Sequence, residues 1–229
     1  HWVYRVILIL CIAVVGLLLW FNRQNLTPEN ISEWIQTRTI GMGVGDGFPV
    51  EITGSSITSE NFVSYDRDLT VVSDTRLTVL NTTAKEVMSR QHSYSSPVLR
   101  IGGTRNLIYN LGGTGYQIET LSKTVIKGNA QGNILTGDIA SNGRYALVTE
   151  EKGYASKLTV YLPDNSEQYV FEFADYYVTD ISLNRDGTRA AVTAISAENG
   201  GIVSAVYFFN FSNPQEGRKI LYPEPLLLR

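Results

Sequence analysis

Asp138 and Asp180 are the residues whose spacing is best suited to chemistry. Each opens a near-copy of the other's surroundings. Asp138 to Thr149 reads D-I-A-S-N-G-R-Y-A-L-V-T, and Asp180 to Thr193 reads D-I-S-L-N-R-D-G-T-R-A-A-V-T. Carboxylates repeated at matching positions could line a common channel and hold a cation. Repeated hydrogen bonding at turns or strand ends explains the same pattern, and that structural reading is preferred. His92 is the one histidine after His1, and the one cysteine is Cys11. A triad or a zinc site needs several partners of these types. Histidine-centred metal sites and cysteine nucleophiles are thereby excluded from the chain beyond Phe21. His92, within S-R-Q-H-S-Y-S-S, reads as a solvent-facing loop residue. No catalytic, metal or cofactor-binding residue is assigned.

The stronger surface signal is aromatic. Asp175, Tyr176 and Tyr177, with Tyr154 and Tyr169, suggest a tyrosine-rich loop surface of the kind on which proteins or sugars dock. Tyrosine is also a good strand former, so a structural role explains these residues as well. Gly41 to Gly47, G-M-G-V-G-D-G, could cradle a phosphate. It neither follows a strand nor opens a helix, so it reads as a flexible connecting loop. The formal net charge is −3 with no basic block, which argues against nucleic acid as a partner. Asn25, Asn30, Asn81 and Asn210 stand in N-x-S/T sequons, to which no role is assigned.

The elements that would hold these residues are short strands. Asn142-Gly143 and Asp186-Gly187 supply the positive φ that tight hairpins need. The two copies lie roughly 40 residues apart, the period of a β-propeller blade. Four units are expected, over residues 61–88, 97–126, 134–173 and 177–222. Gly103-Thr104-Arg105, Gly143-Arg144 and Gly187-Thr188-Arg189 occupy the same place in three of them. Phe48 to Ile52 reads as a further short strand, and the whole of residues 48–229 as one all-β propeller domain of four-stranded antiparallel blades.

Ahead of this domain, Trp2 to Phe21 reads W-V-Y-R-V-I-L-I-L-C-I-A-V-V-G-L-L-L-W-F. Twenty helical residues span about 30 Å, the thickness of bilayer hydrocarbon. Arg5 lies near one end and can snorkel to headgroups. Trp2 and Trp20 suit the two interfaces. No small-x-small cleavage site follows, so residues 1–23 read as an uncleaved transmembrane anchor. Residues 24–47 read as a linker with a short helix begun by Thr27-Pro28-Glu29 and ending near Thr37, with Ile31, Trp34 and Ile35 on one face. The lipid bilayer is thus an expected partner.

The stretch from Thr179 to Thr193 resembles the S-P-D-G-centred blade motif of periplasmic propellers. Leu69 to Val87 and Ser96 to Ile126 resemble the V-Y-V-G-S-x-D-G-x-L-Y-A-L-D-x-x-T-G-K pattern of quinoprotein-like blades. The chain is therefore similar to the WD40-like and quinoprotein-like propeller superfamily. With its apolar N-terminal segment, it resembles uncharacterised bacterial single-pass proteins that carry an outward-facing propeller. Quinone-binding members carry a Trp near each blade end. Here the tryptophans are Trp2, Trp20 and Trp34, so no cofactor is expected.

The chain begins at His1 and ends P-E-P-L-L-L-R, and both ends read as cuts, with residues 226–228 opening a further unit. The ring is then expected to hold seven or eight blades, with Phe48 to Ile52 pairing with the last. The functional expectation is a membrane-anchored, extracytoplasmic, non-catalytic module that binds protein or glycan. The alternatives are a propeller enzyme whose active residues lie on other blades, or the outer domain of a sensor.

Overall fold

A computed structural model of the chain describes residues 2–21, 43–54, 57, 61–213 and 217–222. The chain divides into two units, His1–Gly43 and Val44–Arg229. The first contains α1, Trp2–Phe21. Its apolar residues occupy every face and its described side chains are exposed, Trp2 by 77% and Trp20 by 66%. Arg5 is exposed as well. Among the described residues, no helix is long and apolar enough to cross a membrane. The unbroken run of described side chains, residues 2–17, spans about 24 Å at 1.5 Å per residue. The helix expected over residues 27–37, most of the linker, and residues 226–228 lie outside the described residues.

Among the described residues, the second unit is built of four antiparallel four-stranded sheets. The first contains β1 (Phe62–Tyr65), β2 (Asp68–Val72), β3 (Arg76–Leu80) and β4 (Glu86–Gln91). The second contains β5 (Pro97–Gly102), β6 (Arg105–Asn110), β7 (Gly115–Glu119) and β8 (Thr124–Asn129). The third contains β9 (Ile134–Ile139), β10 (Tyr145–Glu151), β11 (Tyr154–Tyr161) and β12 (Glu167–Phe173). The fourth contains β13 (Tyr177–Leu183), β14 (Arg189–Glu198), β15 (Gly201–Asn210) and β16 (Arg218–Tyr222). In every sheet the spatial order of the strands is their chain order. Such a meander is the construction of a propeller blade.

Turn chemistry sets these meanders. The Gly143 N–H donates to Ala140 O at 2.9 Å, and the Gly187 N–H to Asn184 O at 2.9 Å. Both glycines sit in the left-handed region, at φ +88° and +63°, which an L side chain enters only at a penalty. Asn199-Gly200 forms a two-residue hairpin between Glu198 and Gly201, with both central residues at positive φ. That is the geometry Asn-Gly favours.

Packing between sheets follows the two-residue period of a strand. Tyr145 and Leu147 of β10 join a core with Leu107, Tyr109 and Ile118 of the second sheet. Ala146 and Val148, alternating with them, join a core with Val178, Val192 and Phe209 of the fourth. The third sheet is thus buried on both faces. Each fully buried Val, Leu or Ile among them, such as Val148, Leu107 and Ile118, contributes about 1.5–3 kcal/mol. The first strands of the second, third and fourth sheets lie side by side, β5 against β9 and β9 against β13. The turns after them form a row. Ser141 N–H donates to Arg185 O at 3.1 Å, and Asn142 Nδ2 to Asp186 O at 2.7 Å.

Two expectations need correction. Phe48 to Ile52 is not a strand. Pro49 has no N–H to give a ladder, and nearby donors serve another purpose. Gly45 N–H donates to Thr83 Oγ1 at 2.8 Å and Gly47 N–H to Thr83 O at 3.1 Å, which ties the segment to the β3–β4 turn. His92 is not a solvent-facing loop residue. It is half-buried, its ring stacks on Tyr94 at 5.0 Å, and its Nδ1 accepts the Tyr94 N–H at 3.3 Å.

Candidate functional site

Consecutive antiparallel strands place the β10–β11 turn, the β12–β13 connection and the β14–β15 turn at one end of the third and fourth sheets. They surround an open groove of about 780 Å³ whose lining includes Tyr154, Asp175, Tyr176, Tyr177, Glu198 and Lys219. Tyr154, Asp175 and Tyr177 are exposed, Tyr177 by 61%, whereas Tyr176 is buried. Tyr176 thus departs from the expected loop surface, because its ring packs into the core between the two sheets. Tyr169 is half-buried and joins the same core, near Phe209 and Phe211.

Backbone hydrogen bonds fix the groove's floor. Ser156 Oγ, fully buried, donates to Tyr176 O at 3.1 Å and accepts the Val178 N–H at 3.2 Å. Ser196 Oγ donates to Asp175 O at 2.6 Å. The Tyr176 hydroxyl donates to Glu198 Oε1 at 2.9 Å. Burial and the Glu198 carboxylate together raise the Tyr176 pKa. A hydrogen bond to Glu172 raises that of Tyr154. Burial, with Tyr176 and Asp175 nearby, pushes Tyr207 up to about 12. These phenols therefore remain neutral donors at physiological pH. Lys219 of β16 places Nζ 3.8 Å from the Tyr176 ring centroid and 5.4 Å from that of Tyr207. The groove can hold a cation over aromatic faces and accept hydrogen bonds from one.

The paired aspartates do different work. Asp138 Oδ2 accepts the Leu183 N–H at 2.7 Å, and burial raises its pKa above the usual carboxylate range. Asp180 Oδ1 accepts from Thr136 Oγ1 at 2.9 Å and from Arg100 Nη2 at 3.0 Å. Arg100 also gives Nε to Gly137 O at 3.2 Å. It therefore reaches from the second sheet, across β9 of the third, to the fourth. These contacts fasten inner strands together. Among the described residues, no group of three or more His, Cys, Asp and Glu could hold a metal ion.

Two buried polar clusters gave no clear signal in the sequence. The Tyr145 hydroxyl donates to Asn165 Oδ1, which also accepts from the Tyr116 hydroxyl at 3.3 Å. Burial drives the Tyr145 pKa strongly upward. Glu119, 1% exposed, accepts from Thr124 Oγ1 at 2.9 and 3.0 Å and lies 3.6 Å from Arg90 Nε of the first sheet. Glu119 and Thr124 face each other in one hairpin, whereas Arg90 and Tyr116 reach these clusters from a neighbouring sheet only when blades stack.

Residues 49–219 match the model of a family described as a family of unknown function, DUF5711. No curated protein matches the sequence. Among solved structures, the chain is similar to Kluyveromyces lactis Hsv2p, with 10% identity, a TM-score of 0.53, and coverage of 73% of this chain and 52% of that one. It is also similar to the dihydro-heme d1 dehydrogenase NirN in complex with DHE, with 14% identity, a TM-score of 0.54, and coverage of 72% and 38%. The chain spans about half the length of the first and less of the second. Both are β-propellers, and at these identities the likeness concerns the fold alone.

Proposed function

The chain belongs to the DUF5711 family of unknown function, and we propose that it is a membrane-anchored, extracytoplasmic, non-catalytic propeller that binds a protein or glycan in the cell envelope. The observation that carries the binding reading is the groove between the third and fourth sheets. It is assembled from separate chain segments, presents the exposed rings of Tyr154 and Tyr177, and is floored by a fixed hydrogen-bond set. Its groups suit holding a ligand, with neither a histidine nor a cysteine to activate a nucleophile. An active site on other blades, or a role as the outer part of a sensor, is the alternative.

Anchoring is supported by the sequence of α1 and by its described apolar side chains, exposed on every face. With residues 18–21 counted, its length reaches the roughly 30 Å that a bilayer requires. A ring of seven or eight blades is supported by the outward face of the fourth sheet. There Ile202 and Phe208 are 57% and 43% exposed, an apolar face that a further blade would cover.

A photo-crosslinking amino acid placed at Tyr154, Tyr177 or, as a control at the opposite end of the blade, Glu167 tests the module reading in intact cells. Adducts at the two groove positions and none at Glu167 are expected. Equal labelling at all three, or none at the groove, refutes it. Carbonate extraction tests the anchor: release of the full chain from membranes would overturn it. Protease treatment of intact cells tests the orientation, where full protection of the second unit would exclude an outward-facing propeller.

A further inference from the structure

We infer that the groove between the third and fourth sheets takes a cationic side chain, lysine or arginine, from a basic peptide segment. This inference rests on the binding-module reading above and names the ligand class. Its first support is that the groove already holds a cation of the chain's own. Lys219 Nζ stands 3.8 Å from the centre of the Tyr176 ring and 5.4 Å from that of Tyr207. Both distances lie within the range of a cation–π attraction. Lys219 comes from β16, which among the described residues pairs with β15 alone. The resident ammonium therefore sits on the most easily displaced strand of the sheet, in the place that a ligand's cation would take.

The second support is charge complementarity. Asp175 and Glu198 line the groove, and Glu172 adjoins it through the Tyr154 hydroxyl. Lys219 is the one cation among the lining residues. The Tyr176 hydroxyl donates to Glu198, which makes the ring richer in electrons and its face a better seat for a cation. A sugar would need a bare aromatic face and an inward array of donors. Here the Tyr176 face carries an ammonium, and the charged groups around it are mostly acceptors. Tyr177, beside Asp175 and exposed, offers a further ring over which the rest of a peptide can lie.

The test uses the full chain in detergent micelles and a fluorescent, end-capped tetralysine peptide read by anisotropy at low salt. Lys219→Met keeps the aliphatic stem and vacates the seat, so binding should tighten about three- to tenfold. Glu198→Gln should weaken it about threefold or more. Glu167→Gln removes the same charge at the opposite end of the blade and should leave binding unchanged. Equal effects of Glu198→Gln and Glu167→Gln would show general charge attraction and overturn the inference. So would failure of the wild type and of Lys219→Met to bind, or equal competition by an end-capped tetraserine or by chitotetraose. The two readings fail separately. Crosslinks at Tyr154 and Tyr177 that tetralysine cannot compete away defeat the cationic ligand and leave the binding module standing. Absence of those crosslinks defeats the module itself.

Discussion

Three glycines at positive φ separate the conformational demand of a turn from the space it occupies. Gly153, Gly143 and Gly187 lie at φ +88°, +88° and +63°. An added Cβ at Gly153 meets nothing within 4 Å. At Gly143 it falls 2.6 Å from Arg105 Nη1, the far end of a flexible side chain. At Gly187 it falls 2.7 Å from Arg144 Cβ and 3.1 Å from Ala140 Cβ, atoms fixed to the backbone of the neighbouring sheet. Each alanine substitution carries the left-handed penalty of about 1–2 kcal/mol, partly offset by a less flexible unfolded chain. Gly153→Ala should therefore destabilise by roughly 1 kcal/mol. Gly187→Ala adds overpacking of about 1–3 kcal/mol, for a total near 2–4 kcal/mol. Gly143→Ala should fall between them, because the guanidinium can swing aside. For a domain of this size, about 2–4 °C of melting temperature is lost per kcal/mol. Thermal melts of the three variants by circular dichroism should thus rank 153, 143, 187, with Gly187→Ala lower than Gly153→Ala by about 2–12 °C. Indistinguishable melts for Gly153→Ala and Gly187→Ala would refute the stacked row of turns.

Further outcomes concern the buried polar groups. Burial raises the Glu119 pKa above its ordinary 4.5. The folded state thus holds this proton more tightly than the unfolded state, and the associated stability is lost as pH rises from about 4.5 through the raised value. Glu119→Gln should flatten the stability profile in that window relative to wild type, and parallel profiles would contradict it. Burial lowers the His92 pKa below 6.5, so its contribution has the opposite sign and is lost as pH falls from 6.5 through the depressed value. His92→Asn should lack this acid-side loss, and an NMR titration of His92 at or above 6.5 would refute the assignment. Tyr145→Phe should cost about 0.5–1.5 kcal/mol in denaturant melts, the net worth of one hydrogen bond, because Asn165 is exposed and water can replace the lost phenol donor. The remaining Tyr116 bond keeps the loss from being larger. Tyr161→Phe keeps the stacked ring and removes a half-buried hydroxyl outside that hydrogen-bond set, bonded to Thr159, and should cost less than Tyr145→Phe.

The sheets were legible because their signals are local. Asn142-Gly143 and Asp186-Gly187 mark turns that two or three residues determine, and continuous apolar runs such as Tyr145 to Val148 mark a strand. The groove was partly legible, since Tyr154, Asp175, Tyr176 and Tyr177 all line it. Glu198 and Lys219 were not, because their relation to Tyr176 exists only once β14, β15 and β16 have folded back beside β13. Asp138 and Asp180 look alike in sequence but accept from different partners, Leu183 in one case and Thr136 and Arg100 in the other. A periodic sequence reveals equivalent positions, whereas the neighbours of each position depend on which sheet stands beside it. Phe48 to Ile52 misled for a related reason. Its β-forming residues surround a proline, and the glycines just before them are tied to Thr83, a distant partner that no local pattern announces.

The strand order has a consequence for how the molecule is made. Every sheet is a contiguous stretch in which each strand pairs with the one just before it, so loop closure within a sheet is short and fast. A chain emerging from the ribosome can finish each sheet before the next has been synthesised and add it to the last one as a template. The Arg100–Asp180 bond spans 80 residues and cannot form until the first strand of the fourth sheet has emerged. Arg100 therefore waits through the synthesis of a whole intervening blade, and its capture by Asp180 marks the moment when three blades have set in register.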